Sequence, residues 1–190
     1  AFTIVDDAHG IGILGKKGRG SIELYDVFNK IDMVTGSFGK AFGCAGGFIA
    51  SNSRVIEFLS YFCPPLVYST ALPPVLAASA IASFEIIESA DDKRKKLYKN
   101  KEALYVQLKE MGFNLTESNT PLFSIVSKEA QETINLARDL FQKGVYATPF
   151  VPPSVPIGRS CLRLIPHAGL GDEEINKVIS VFNEIKARYT

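Results

Sequence analysis

Four short stretches carry the residues best suited to chemistry. The first is Asp6-Asp7-Ala8-His9-Gly10, at the end of an apolar run. If that run is a strand of a parallel α/β sheet, Asp6 and His9 stand at its carboxyl end, where such sheets bind ligands. The same residues also suit loop capping, or an Asp/His pair on a metal. The second stretch is Ser37-Phe38-Gly39-Lys40-Ala41-Phe42-Gly43. A lysine between aromatic and glycine residues is unlike a surface lysine. Burial would disfavour its ammonium form and make it a usable amine nucleophile. An ordinary solvated lysine is the plain alternative. A P-loop is excluded, because that pattern needs Gly five residues before the Gly-Lys pair and Ser or Thr after it. Val34 and Ala41 occupy those places.

The third stretch is Tyr68-Ser69-Thr70-Ala71-Leu72-Pro73-Pro74. Hydroxyls just before a helix N-terminus make an anion site, and they are equally ordinary N-caps. The fourth is Cys161-Leu162-Arg163-Leu164, an arginine inside an apolar strand. Its planar guanidinium suits bidentate capture of a carboxylate; a strand-edge ion pair is the plain reading. His167 reads as a loop residue. Taken together, an acid, a histidine, an amine, hydroxyls at a helix start and a carboxylate-binding arginine are the toolkit for pyridoxal phosphate chemistry on an amino acid.

The elements that must hold these residues alternate between strands and helices, which argues an α/β chain. Strands are expected at Phe2–Asp6, Asp32–Ser37, Gly47–Ser51, Leu122–Val126, Val145–Thr148 and Cys161–Ile165, with a brief extended segment at Leu66–Ser69. Helices are expected at Ser53–Phe62 with Ser53 as cap, from Pro73-Pro74 to Glu88, and at Asp91–Met111, Glu129–Lys143 and Asp172–Arg188. Glycines punctuate an irregular loop from Gly10 to Gly20. The basic run Lys93-Arg94-Lys95-Lys96 reads as a solvated helix face balanced by Asp91, Asp92 and Glu102. Glycine-rich loops give way to long helices near Leu72, so a domain boundary is expected there.

Composition excludes several classes. The 190 residues are 46% apolar and 22% charged with a net charge of +1, an ordinary globular balance rather than a disordered one. Near-neutral charge argues against a nucleic-acid or anionic-membrane footprint, and no apolar run reaches spanning length. The three cysteines, Cys44, Cys63 and Cys161, are widely spaced. They suggest neither a zinc site nor a disulfide framework, so a reduced, cytoplasmic protein without a metal is expected.

The order and spacing of the stretches VDDAHGIGILGKKGRG (5–20), TGSFGKAFGCAGGFIAS (35–51), VYSTALPP (67–74) and PPSVPIGRSCLRL (152–164) resemble the α-oxoamine synthases. These are pyridoxal-phosphate enzymes of fold type I. With the connecting helices, the likeness covers essentially the whole chain. It implies the C-terminal half of a longer enzyme: residues 1–72 as the end of the large, aspartate-aminotransferase-like cofactor domain, and 73–190 as a small α/β C-terminal domain. Asp6 resembles the acid paired with the pyridine nitrogen, and His9 the histidine near the ring's phenolic oxygen. Lys40 resembles the lysine that carries the cofactor as a Schiff base and moves protons at the substrate's α-carbon. Ser37 resembles the hydroxyl that contacts the phosphate. Ser69 and Thr70 resemble the segment that reaches the phosphate from a neighbouring subunit, which implies a homodimer with shared active sites. Arg163 resembles the arginine that holds the amino-acid carboxylate.

The implied reaction condenses an amino acid with an acyl-coenzyme A or acyl-carrier thioester. PPSVPIG resembles the members that join alanine to a pimeloyl thioester in biotin synthesis. KAFGCAGGFIA and KEMGFNL also resemble the glycine C-acetyltransferases, which keep the carboxylate during condensation. The members that palmitoylate serine differ after the lysine and are less favoured. After Arg163 the chain reads LIPHAGLGDEE, where relatives carry a small-residue run leading to a histidine, so His167 receives no role. A non-catalytic subunit or inactive fragment on the same scaffold is the rival of another class; Lys40 argues against a subunit retired from catalysis. The resemblance also implies that the 190 residues alone are inactive, because the family's N-terminal half supplies the aromatic residue that stacks on the cofactor, a phosphate-binding turn and much of the acyl-thioester site.

Overall fold

The computed structural model describes residues 1–190. Contacts divide them into two units, Ala1–Asp92 and Lys93–Thr190.

In the first unit the apolar run before the acids forms β1 (Ile4–Asp6). It pairs in parallel with β2 (Met33–Ser37), Asp6 opposite Thr35. The crossover between them holds the Gly10–Gly20 loop and a short helix α1 (Ser21–Leu24). β2 then turns through residues 38–46 into antiparallel β3 (Gly47–Ser51), Ser37 opposite Gly47. Helix α2 (Ser53–Phe62) begins one residue earlier in its capping than the sequence suggested: Asn52, not Ser53, is the cap, and its side chain accepts from Val55 N at 3.1 Å. The segment expected to be extended at Leu66–Ser69 instead begins in a helical turn, α3 (Pro64–Val67). Proline at the first helical position, with φ preset and no amide to satisfy, starts that turn. Helix α4 (Pro74–Glu88) opens on proline in the same way.

The core of this unit is aromatic. Phe38, Phe42 and Ala80 are buried, with Ile11, Cys44, Phe48 and Ile87 against them. The Phe42 and Phe84 rings lie 4.6 Å apart at 66°, and Phe38 and Phe42 5.1 Å apart at 72°. These are edge-to-face contacts. Because Ala80 and Phe84 belong to α4, that helix packs with the first unit. The contacts therefore divide the chain after Asp92 rather than near Leu72. The composition change near Leu72 marks where helices lengthen, not where packing changes.

The second unit holds α5 (Asp91–Glu110) apart from its first two residues, β4 (Phe123–Ser127), α6 (Ala130–Gln142), β5 (Thr148–Phe150), β6 (Ser160–Leu164) and α7 (Asp172–Ile185). The sheet order is β4-β6-β5, antiparallel throughout. Leu108, Phe123, Leu140, Leu162 and Phe182 form the centre of its core. Gly112, at φ +93°, stops α5 in a conformation that favours glycine. Two expectations change here. Val145 and Ala147 are buried but irregular, and the strand begins only at Thr148. It runs through Pro149, which the edge position of β5 permits, since proline cannot donate to a neighbour. Within the basic run, Lys93, Lys95 and Lys96 are exposed but Arg94 is buried, so the run is not wholly a solvated face. No helix is long and apolar enough to cross a membrane.

Candidate functional site

The parallel pairing of β1 and β2 sets the site. Both strands end on the same edge, β1 at Asp6 and β2 at Ser37. This carboxyl edge of a parallel pair is where side chains converge on ligands. Asp6 is exposed; its Oδ1 accepts from Ala8 N at 3.0 Å, so it caps the following turn and still presents a second oxygen. His9 is exposed in that turn. Ser37 Oγ accepts from Gly39 N at 3.1 Å, leaving its O–H to donate elsewhere.

The two adjacent acids have opposite fates. Asp7 is 4% exposed. Its carboxylate accepts from Ser21 N at 2.8 Å and fills the space where Gly10 and Gly20 lack side chains. Asp7 thus ties the glycine loop to the strand end. This role was missed in the sequence; the signal was the pair of glycines flanking the loop.

Lys40 lies in the turn between β2 and β3. Cys44 N donates to Phe38 O at 2.9 Å and Gly43 N to Lys40 O at 3.0 Å, closing the turn. The expected burial of Lys40 is not met: the lysine is exposed in this chain. Phe38 and Phe42, two residues to either side, send their rings into the core, which leaves Gly39, Lys40 and Ala41 on the outer side. The flanking aromatics therefore anchor the backbone of the turn and do not cover the amine.

Ser69 and Thr70 are exposed, just before α4. They do not cap it: the N-cap position is Pro73, with no side-chain capping bond. The plain reading of these hydroxyls as helix caps is therefore lost. Leu72 follows them, and a Cβ on Gly46 would stand 2.9 Å from its Cδ1, so the segment packs against the entry to β3.

Arg163 belongs to the second unit. It sits on β6 between Ser124 of β4 and Thr148 of β5, half-buried, with its guanidinium 3.9 Å from the centre of the Phe150 ring. It is stacked on an aromatic face rather than paired with an acid, which leaves its forked donors for a carboxylate. Asn100, 1% exposed, was also missed in the sequence. Its amide donates to the carbonyls of His167 at 3.0 Å and Leu170 at 3.1 Å, fastening the loop after β6. A polar residue among the core leucines of α5 was the available signal. His167 is exposed, and its Nδ1 accepts from Gly169 N at 3.1 Å, a turn contact.

Comparison with known proteins gives one consistent answer. The family model for class I and II aminotransferases matches residues 1–182. The 8-amino-7-oxononanoate synthase of Thermoanaerobacter pseudethanolicus is 34% identical over 185 residues, covering 97% of this chain and 47% of that protein. Among solved structures, the serine palmitoyltransferase of Sphingomonas wittichii matches with a TM-score of 0.92 and 34% identity, over 99% of this chain and 47% of that one. The 8-amino-7-oxononanoate synthase of Francisella tularensis matches with a TM-score of 0.85 and 27% identity, over 98% and 56%. The chain spans about half the length of the curated relatives it matches. Identity does not separate the two kinds of relative, although the sequence had favoured the first over the second. What the comparisons share is the family: this chain belongs to the class I and II aminotransferases, pyridoxal-phosphate-dependent enzymes, within their α-oxoamine synthase branch.

Proposed function

We propose that the protein is a pyridoxal-phosphate-dependent acyltransferase that condenses an amino acid with an acyl thioester, alanine with a pimeloyl thioester in the first instance. The observation that carries this is the shared carboxyl edge of β1 and β2, with Asp6 ending one strand, Ser37 the other, and Lys40 in the next turn. The donor set fits the cofactor: a carboxylate with a spare oxygen, a hydroxyl with a spare proton and an exposed primary amine. When bound, pyridoxal phosphate supplies an electron sink for the charge that forms at the amino acid's α-carbon.

Each residue then has a task. Asp6 would keep the cofactor's pyridine nitrogen protonated, and His9 would contact its phenolic oxygen. Lys40 would hold the cofactor through its primary amine and would move a proton at the substrate's α-carbon, a transfer worth about 10²–10⁴-fold in rate. Ser37 would donate to the phosphate. Ser69 and Thr70 would donate to the phosphate held by a partner subunit in a homodimer. The loss of their capping role supports that reading, since both hydroxyls are left to solvent. Arg163 holds the substrate carboxylate in a bidentate grip. The 190 residues by themselves are expected to be inactive.

A second reading, serine with a long acyl thioester, is favoured by the TM-scores of 0.92 and 0.93 to serine palmitoyltransferases. Glycine with acetyl-coenzyme A remains the alternative within the same chemistry. The test uses the full-length protein with pyridoxal phosphate. A cofactor absorbance band should form, and Lys40→Ala should abolish it; an unchanged spectrum in the variant would overturn the assignment. Product assays pairing alanine, serine and glycine with short and long thioesters then choose the substrate. Exclusive use of glycine with acetyl-coenzyme A would end the first reading.

A further inference from the structure

Lys40 is exposed, yet the turn that carries it is held firmly. Phe38 N donates to Gly46 O at 2.9 Å, and the rings of Phe38 and Phe42 are buried. Two more contacts come from distant parts of the first unit. From α4, Ser83 Oγ donates to the Phe42 carbonyl at 2.8 Å. From the glycine loop, Gly12 backs onto Ala41: a Cβ at Gly12 would stand 2.7 Å from the Ala41 Cβ. Gly12 has φ +82°, a conformation that side chains rarely adopt. The loop that presents Gly12 is itself keyed by Asp7, whose carboxylate accepts from Ser21 N and occupies the space at Gly10 and Gly20.

Gly12 and Ser83 carry no group that the condensation uses. They touch Ala41 and Phe42, the two residues directly after Lys40. An exposed, flexible side chain is aimed by its backbone, so the place of the turn decides where the amine can act.

We propose that Gly12 and Ser83 are positioning residues for Lys40, clamping its turn from the glycine loop on one side and from α4 on the other. The proposal rests on the reading of Lys40 as the cofactor lysine and deepens it. A misplacement of about 1 Å by a residue outside the chemistry can cost about 100-fold in rate.

The experiment uses the full-length protein with pyridoxal phosphate. Gly12→Ala places a methyl against Ala41. Ser83→Ala removes the donor, and Ser83→Thr keeps it. Gly12→Ala should lower kcat by up to about 100-fold. Ser83→Ala should lower it less, and Ser83→Thr should restore it. KM for the amino acid should stay as in the parent. The pH midpoint of the cofactor band should move in both alanine variants and return in Ser83→Thr, a shift that a purely structural role would not produce. If kcat per cofactor-loaded protein and the pH midpoint match the parent in both alanine variants, the proposal is overturned, even where the melting temperature falls. Should Gly12→Ala not fold, the Ser83 pair decides alone. Lys40→Ala runs in parallel. A band that survives it sinks the cofactor reading itself; a band lost there, with both alanine variants like the parent, sinks only the clamp.

Discussion

Asp6 and Asp7 are the same residue type, one bond of chain apart, with opposite work. β1 ends at Asp6, and Asp7 is the first residue of the loop that follows. Asp6 remains at the exposed strand end, while Asp7 turns under the glycine loop. Asp7→Ala should leave Ser21 N without its acceptor and cost about 1–3 kcal/mol. Urea unfolding of the full-length protein measures this, and an unchanged midpoint would refute the structural role. Tyr189 gives a pH prediction. Burial and the bond to Asp139 push its phenol up to about 12 from an ordinary 10. A group raised in the folded state adds stability below its unfolded value and loses it as pH rises through the folded one. The alkaline loss should therefore fall between pH 10 and 12. Tyr189→Phe should show a shallower decline across that window, read from unfolding midpoints at a series of pH values. A slope identical to the parent would remove Tyr189 from the account.

At the scale of elements, chain ends and beginnings are set by local chemistry. Helix α2 starts where Asn52 adopts ψ 160° and folds its side chain back onto Val55 N. Removing that acceptor with Asn52→Ala should cost about 1 kcal/mol, measured by thermal unfolding; Ser53→Ala should cost less, because Ser53 already lies inside the helix. Equal losses would mean that the cap had been misassigned. Most elements were legible in the sequence because their signals are local. Gly47–Ser51 and Ser53–Phe62 match their expected spans fully, and Pro74 opens α4 as proline in a first turn allows. The failures were also local. Pro64-Pro65 nucleates a turn in a segment that reads as extended, and Val145–Ala147 is apolar enough for a strand yet pairs with nothing until Thr148.

For the whole molecule, the two units differ in how well they satisfy themselves. The second has a core of fifteen buried apolar residues around a sheet. The first buries three and leaves Phe58, Tyr61, Phe62, Leu66 and Tyr68 exposed, the last at 88%. The second unit also exposes Phe141, Tyr146 and Ile157, but around its larger core; apolar surface exposed without such a core favours association. Residues 91–190, expressed alone, should therefore unfold cooperatively as a monomer, whereas residues 1–92 should self-associate and bind hydrophobic dyes. Sedimentation and dye fluorescence check both; a well-behaved monomeric 1–92 would show that its core is larger than its own contacts imply.

The sequence by itself determined the family, because the order and spacing of its four stretches do not depend on packing. Asp6, His9, Ser37, Lys40, Ser69, Thr70 and Arg163 are the site residues that this likeness proposes. The sequence also determined most of the elements, because capping, proline and periodicity act over a few residues. Tertiary structure alone decided which acid of the pair is structural, that the aromatics beside Lys40 are anchors rather than a cover, and that α4 packs with the first unit. Those facts depend on contacts between residues far apart in the chain: Asp7 with Gly20 and Ser21, Gly12 with Ala41, Ser83 with Phe42. No local pattern encodes such pairings, because each is set only when separate elements meet.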